Sequence, residues 1–142
     1  MTEFDSVQAP VFYSAIAFIP NDANPVCAVM RVVDGDTVDI ACKSGGRSNV
    51  RLTGCDTPET FQPKCSTERA LGQRATMLLE SELRRAETIE IEFKGVDKYQ
   101  RPLGEMMLDS VPLEQIMVAR GVAVPYAGGT RIDWCQRLES MT

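Results

Sequence analysis

Three short segments of strand-like pattern, punctuated by Asp34-Gly35 and Ser44-Gly45-Gly46, constrain this chain more than any other feature. From Cys27 to Val33 the residues are almost all apolar or β-branched, with Arg31 the exception, which predicts a buried strand. Val38, Ile40 and Cys42 then alternate with Thr37, Asp39 and Ala41 in a second strand. The Ser44-Gly45-Gly46 turn supplies the positive φ angles of a hairpin, and Val50 and Leu52 resume the alternation on a return strand ending near Cys55. Gly54, just before that end, marks a bulge or bend.

The second half adds a helix and two more strands. Ser66 is placed to cap a helix running to about Ala86, with Leu71, Ala75, Leu78 and Leu79 on one apolar stripe. Thr88 to Phe93 alternates strictly, a polar loop follows from Lys94 to Gln100, and a fifth strand spans about Leu103 to Leu108. Pro112 opens a short helix with Leu113, Ile116 and Met117 on one side, ended by Gly121. The order βββαββα predicts an α+β, mainly β fold: a five-stranded OB-fold barrel with one long and one or two short helices.

The breaker cluster from Pro20 to Pro25 divides the 142 residues into an arm, 1–25, and a body, 26–142. The arm is too apolar around Val11–Ile19 for a free tail, so it is expected to pack on the body or on a partner chain. That stretch is far short of the ~20 residues a membrane span needs. It is preceded by Glu3 and Asp5, not by the basic residues of a signal peptide. The expectation is a monomer with no membrane partner, either intracellular or a mature secreted chain.

The chain has no histidine, which excludes Ser-His-Asp and Cys-His nucleophiles, His-ligated zinc and imidazole bases. Its net charge of −5 argues against broad capture of duplex DNA, which relies on many Lys and Arg contacts to phosphate. A local cationic pocket stays open. Of the five cysteines, Cys65 and Cys135 fall outside the predicted strands and are placed to bridge; the alternative is five free thiols.

Chemistry concentrates at one end of the hairpin. Asp36 opens the second strand and Asp56 follows the third, so the pairing brings them to the same end. Two carboxylates with backbone carbonyls make a hard oxygen site for Ca²⁺ or Mg²⁺. Pro58 biases Thr57 toward extended geometry, aiming its carbonyl at such an ion, and Glu59 lies one step further out. Either motif alone reads as a turn; both at one hairpin end favour a site. Arg51 and Arg101 add guanidinium forks suited to phosphate. An ideal strand would hold Arg51 roughly 17 Å from Asp56 at ~3.3–3.4 Å per residue, so a sharp bend at Gly54 is required.

The segments Val33-Asp34-Gly35-Asp36-Thr37, Arg51-Leu52, Asp56-Thr57-Pro58-Glu59-Thr60 and Asp97-Lys98-Tyr99-Gln100-Arg101 together resemble the staphylococcal nuclease (thermonuclease) family over about residues 26–126. The resemblance implies an OB-fold enzyme that hydrolyses phosphodiester bonds of DNA and RNA with Ca²⁺, leaving 3′-phosphate and 5′-hydroxyl ends. It implies Asp36, Asp56 and the Thr57 carbonyl as calcium ligands, and Glu59 as the group that holds the attacking water. Arg51 and Arg101 would hold the phosphate, and Lys98, Tyr99 and Tyr126 would line the nucleotide site. Gln100 departs from the glycine common in that family. Two other readings are a non-catalytic OB-fold module that binds nucleic acid, and a structural calcium domain, which leaves the paired arginines unexplained.

Overall fold

A computed structural model of the chain describes residues 13–18, 26–43 and 46–141. The Pro20–Pro25 breaker, most of the expected Ser44-Gly45-Gly46 turn and the start of the arm lie outside these residues. In chain order the elements are β1 (Tyr13–Phe18), β2 (Val26–Asp34), β3 (Thr37–Cys42), β4 (Arg47–Leu52) and β5 (Gly54–Asp56), then α1 (Ser66–Arg85). β6 (Ile89–Val96), β7 (Pro102–Leu108), β8 (Val111–Pro112), α2 (Leu113–Ala119), β9 (Val124–Tyr126) and α3 (Trp134–Ser140) follow.

The strands β4-β3-β2-β1-β6-β7 are neighbours in that order, and β4 pairs again with β7. That last contact is parallel, Arg51 opposite Leu103 and Leu52 opposite Gly104, so the pairings run in a ring. The fold is the expected α+β OB-type barrel with strands added: β8 pairs with β7, and β5 with β9 forms a separate two-stranded sheet. A sixth barrel strand, β1, comes from the arm and lies antiparallel to β2 and parallel to β6. It supplies backbone partners to two strands that would otherwise present open edges.

Apolar alternation gives the barrel its interior. Val29, Val38, Ile40, Val50, Leu52, Ile91 and Met106 are buried, and α1 adds Ala75, Leu79 and Leu83. Fully burying a side chain such as Leu52 or Leu79 is worth about 1.5–3 kcal/mol. Three boundaries differ from expectation. The residue capping α1 is Cys65, not Ser66, and it makes no side-chain cap hydrogen bond. β6 runs on to Val96 through a register shift at Phe93/Gly95, which shortens the expected loop to 97–101. The return strand breaks after Leu52, and β5 leaves the barrel to pair with β9.

Candidate active site

The floor of the site is built where the β2–β3 turn meets β5. Gly54 has φ +104°, a conformation that favours glycine, and an added Cβ would meet the Glu114 side chain at 2.7 Å. This bend removes the 17 Å separation expected of an ideal strand. Arg51 Nη1 lies 3.3 Å from Asp36 Oδ2, and its Nη2 lies 3.6 Å from Asp56 Oδ1. Asp36 Oδ2 also accepts from the Thr57 hydroxyl at 3.0 Å and the Thr57 N–H at 3.3 Å. The Asp36 N–H donates to Asp34 Oδ1 at 3.1 Å. Burial, then the neighbouring Asp36 charge, pushes the Asp34 carboxyl up to about 7, with Glu59 adding to the effect.

Glu59 is held from behind by α1. Gly72 packs so closely that a Cβ there would come within 2.9 Å of the Pro58 carbonyl and 3.0 Å of the Glu59 carbonyl. Glu68, one turn earlier and 5% exposed, accepts the Glu59 N–H at 3.2 Å and the Lys64 N–H at 2.8 Å. A carboxylate accepting two backbone N–H groups fixes the loop between them.

Two residues absent from the sequence reading complete the cluster. Asp56 is fully buried; its Oδ1 accepts from Arg131 Nε at 2.8 Å and its Oδ2 from the Trp134 indole at 3.1 Å. Arg131 also approaches the Thr57 carbonyl (3.5 Å) and Glu59 Oε1 (3.7 Å). Burial lowers the Arg131 pKa, but the bond to and charge of Asp56, with Glu59 and Asp36 beyond, raise it overall. Neither residue carries a sequence signal for this role. Arg131 sits in an irregular segment after Gly128-Gly129, and Trp134 opens a helix of only seven residues, capped by Asp133. The cysteines offered the one clue. Cys65 and Cys135 are bonded, tying α3 to the start of α1, which is the pairing considered from sequence. Cys27 and Cys42 are bonded as well, across β2 and β3, a pairing the sequence did not single out; the alternative of five free thiols does not hold. Cys55 is free and buried, and burial, with the Asp36 charge, pushes its thiol up to about 12.

A cavity of about 750 Å³ opens beside this floor. Arg51, Lys98, Tyr99, Arg101, Tyr126 and Arg131 are among its lining residues. Tyr126 arrives there because β9 pairs with β5, Gly54 opposite Tyr126. The 97–101 loop is organised by Asp97, whose Oδ1 accepts the N–H groups of Tyr99 (2.9 Å) and Arg101 (2.8 Å). Asp97 Oδ2 takes Arg101 Nε at 2.8 Å. Gln100 adopts φ +66°, the left-handed region that favours glycine. The Lys98 ammonium and the Arg101 guanidinium lie 5.2 and 5.8 Å from the centre of the Tyr99 ring. Asp36, Arg51, Asp56, Thr57 and Glu59 are therefore gathered in one cluster. Arg101 reaches the same cavity, but its contacts are to Asp97 and Tyr99.

At one end of an OB-type barrel, the buried carboxylates of Asp36 and Asp56 thus stand against the guanidinium groups of Arg51 and Arg131. The chain belongs to the staphylococcal nuclease homologue family, whose model matches residues 49–139. It is 32% identical over 100 residues to an uncharacterized endonuclease of Haemophilus influenzae, covering 70% of this chain and 52% of that protein. It is 31% identical over 96 residues to the thermonuclease of Staphylococcus hyicus, covering 67% and 56%. Similarity to endonuclease YhcR of Bacillus subtilis, 32% over 107 residues, covers 69% of this chain but 9% of that protein. The chain spans about half the length of the first two. No described helix is long and apolar enough to cross a membrane.

Proposed function

We propose that the chain is a calcium-dependent nuclease that hydrolyses phosphodiester bonds of DNA and RNA. The observation that carries this reading is Arg51, whose guanidinium lies within 3.6 Å of both Asp36 and Asp56, beside the Glu59 loop. Such an arrangement sets a phosphate-binding fork against a hard-oxygen donor set.

The donors suit the ion. Asp36, Asp56 and the Thr57 carbonyl offer only oxygen, and a cationic group, Arg131, already lies against the Asp56 and Thr57 oxygens. These residues would hold Ca²⁺, which when bound supplies Lewis acidity and positive charge toward a phosphodiester oxygen. Glu59, with its side chain 40% exposed, holds a water and takes its proton as the water attacks phosphorus. Arg51 binds the non-bridging phosphate oxygens and stabilises the charge that grows there. Arg101 joins it from the cavity wall by exchanging part of its bond to Asp97 for phosphate. Lys98, Tyr99 and Tyr126 line the space for the nucleotide, the aromatic rings offering stacking surfaces. The P–O5′ bond breaks, the proton passes to the departing oxygen, and the products carry 3′-phosphate and 5′-hydroxyl ends. A net charge of −5 favours single-stranded or frayed substrates over intact duplex.

The test is Glu59→Gln. Turnover should fall about 10²–10⁴-fold, the usual contribution of a positioned base, while calcium still binds. A variant that turns over at the wild-type rate removes Glu59 from the chemistry.

A further inference from the structure

Arg131 occupies an unusual place for an arginine in a site meant for a cation. Its guanidinium bonds to Asp56 Oδ1 and the Thr57 carbonyl, two oxygens of the candidate metal site, and lies 3.7 Å from Glu59 Oε1 beside it. We propose that Arg131 is a built-in counter-ion that competes with the divalent ion, holding the acidic cluster together in the metal-free protein and leaving Asp56 when the ion enters. The inference rests on the metal reading above and adds to it a residue that sets the ion's affinity.

The surroundings suit such an exchange. A positive group bonded to a ligand carboxylate must be moved before a divalent ion takes the same oxygen, so its interaction with Asp56 is subtracted from the ion's. The segment carrying Arg131 has room to let it go. It follows Gly128 and Gly129, both at positive φ, and it has no regular structure before α3. Its two ends are fixed. On one side Tyr126 pairs in β9 and donates to the Gly129 carbonyl at 2.7 Å; on the other Trp134 is buried and Cys135 is bonded to Cys65. Trp134 keeps its own bond to Asp56 Oδ2, so the carboxylate stays oriented after the guanidinium departs. Arg131 already lines the cavity, so its release leaves it facing the space where the phosphate is expected.

The experiment is a calorimetric titration of Ca²⁺ without nucleic acid into the full chain and into Arg131→Gln, Arg131→Lys and Arg120→Gln. Arg120 pairs with Glu82 and serves as a control for net charge. Arg131→Gln should bind calcium at least roughly fivefold tighter, within the ordinary range of coupling between two ligands of one site. Arg131→Lys should fall between it and wild type, and Arg120→Gln should match wild type. With chelator present, Arg131→Gln should melt lower than wild type, and calcium should raise its melting temperature by more. Equal or weaker calcium affinity in Arg131→Gln overturns the inference while leaving the metal reading intact. Calcium binding by none of the four proteins overturns the metal reading, and the inference with it. If Arg131→Gln does not fold, the lysine variant decides the question by the same comparison.

Discussion

Replacing Glu68 by alanine tests how the loop that carries Glu59 is held. Glu68 never faces the cavity, yet it accepts the backbone N–H groups of Glu59 and Lys64 from the first turn of α1. Hydrogen bonds to charged groups are worth about 1.5–3 kcal/mol each; both donors are only part-buried, so water replaces some of what is lost and the low end applies. Alanine regains a few tenths of a kcal/mol of helix propensity, far too little to compensate. The expected loss is about 3 kcal/mol for Glu68→Ala. Glutamine offers one acceptor oxygen where two are used, so Glu68→Gln should lose about half as much. At roughly 3 °C per kcal/mol for a chain of this size, the alanine variant should melt about 10 °C lower and the glutamine variant about 5 °C lower. Activity measured well below the melting point should also fall, because a displacement of about 1 Å in a reacting group costs on the order of 10²-fold. Thermal unfolding followed by circular dichroism, with initial rates on a labelled oligonucleotide, provides both readouts. A Glu68→Ala protein that melts within about 2 °C of wild type and cleaves normally would refute the assignment of loop support to this carboxylate.

Other expectations follow from the same geometry. Arg51→Lys and Arg101→Lys should each lower kcat/KM by about 10²-fold or more, since an ammonium cannot reproduce the two-pronged contact; steady-state kinetics check this. The Asp34 carboxyl, raised from 3.8 to about 7 by burial and the Asp36 charge, binds more protons in the native than in the unfolded state between those values. Its contribution to stability is thus fully present below about pH 3.8 and lost as pH rises through about 7. Denaturant unfolding in chelator at pH 5 and pH 8 should show this fall, and Asp34→Asn should flatten it.

Much of the barrel can be read from local pattern because its strands alternate and its turns carry Asp-Gly and Gly-Gly signals. Hairpin pairing predicts the end at which Asp36 and Asp56 meet, but their approach also needs the strand break after Leu52 and the bend at Gly54. What local pattern cannot show is set by distant pairing and by slips in register. β1 joins β2 and β6 through backbone contacts that its largely apolar sequence does not specify. An unbroken hairpin starting from Asp34 opposite Thr37 would place Cys42 opposite Val29. Shifts at Val32/Asp34 and Val29/Arg31 move the register by two residues and bring Cys27 opposite Cys42. Arg131 and Trp134 lie about 75 residues along the chain from Asp56, and reach it because β9 pairs with β5 and the Cys65–Cys135 bond anchors α3. No periodicity in 127–133 records that contact.

The most direct measurement is cleavage of end-labelled single-stranded DNA and RNA by the purified chain, with calcium and with excess chelator, and analysis of the product ends. The account predicts cleavage of both polymers with calcium, products ending in 3′-phosphate, and loss of activity with chelator. Nucleic acid that is bound but left intact in the presence of calcium, or cleaved equally well in chelator, would contradict it.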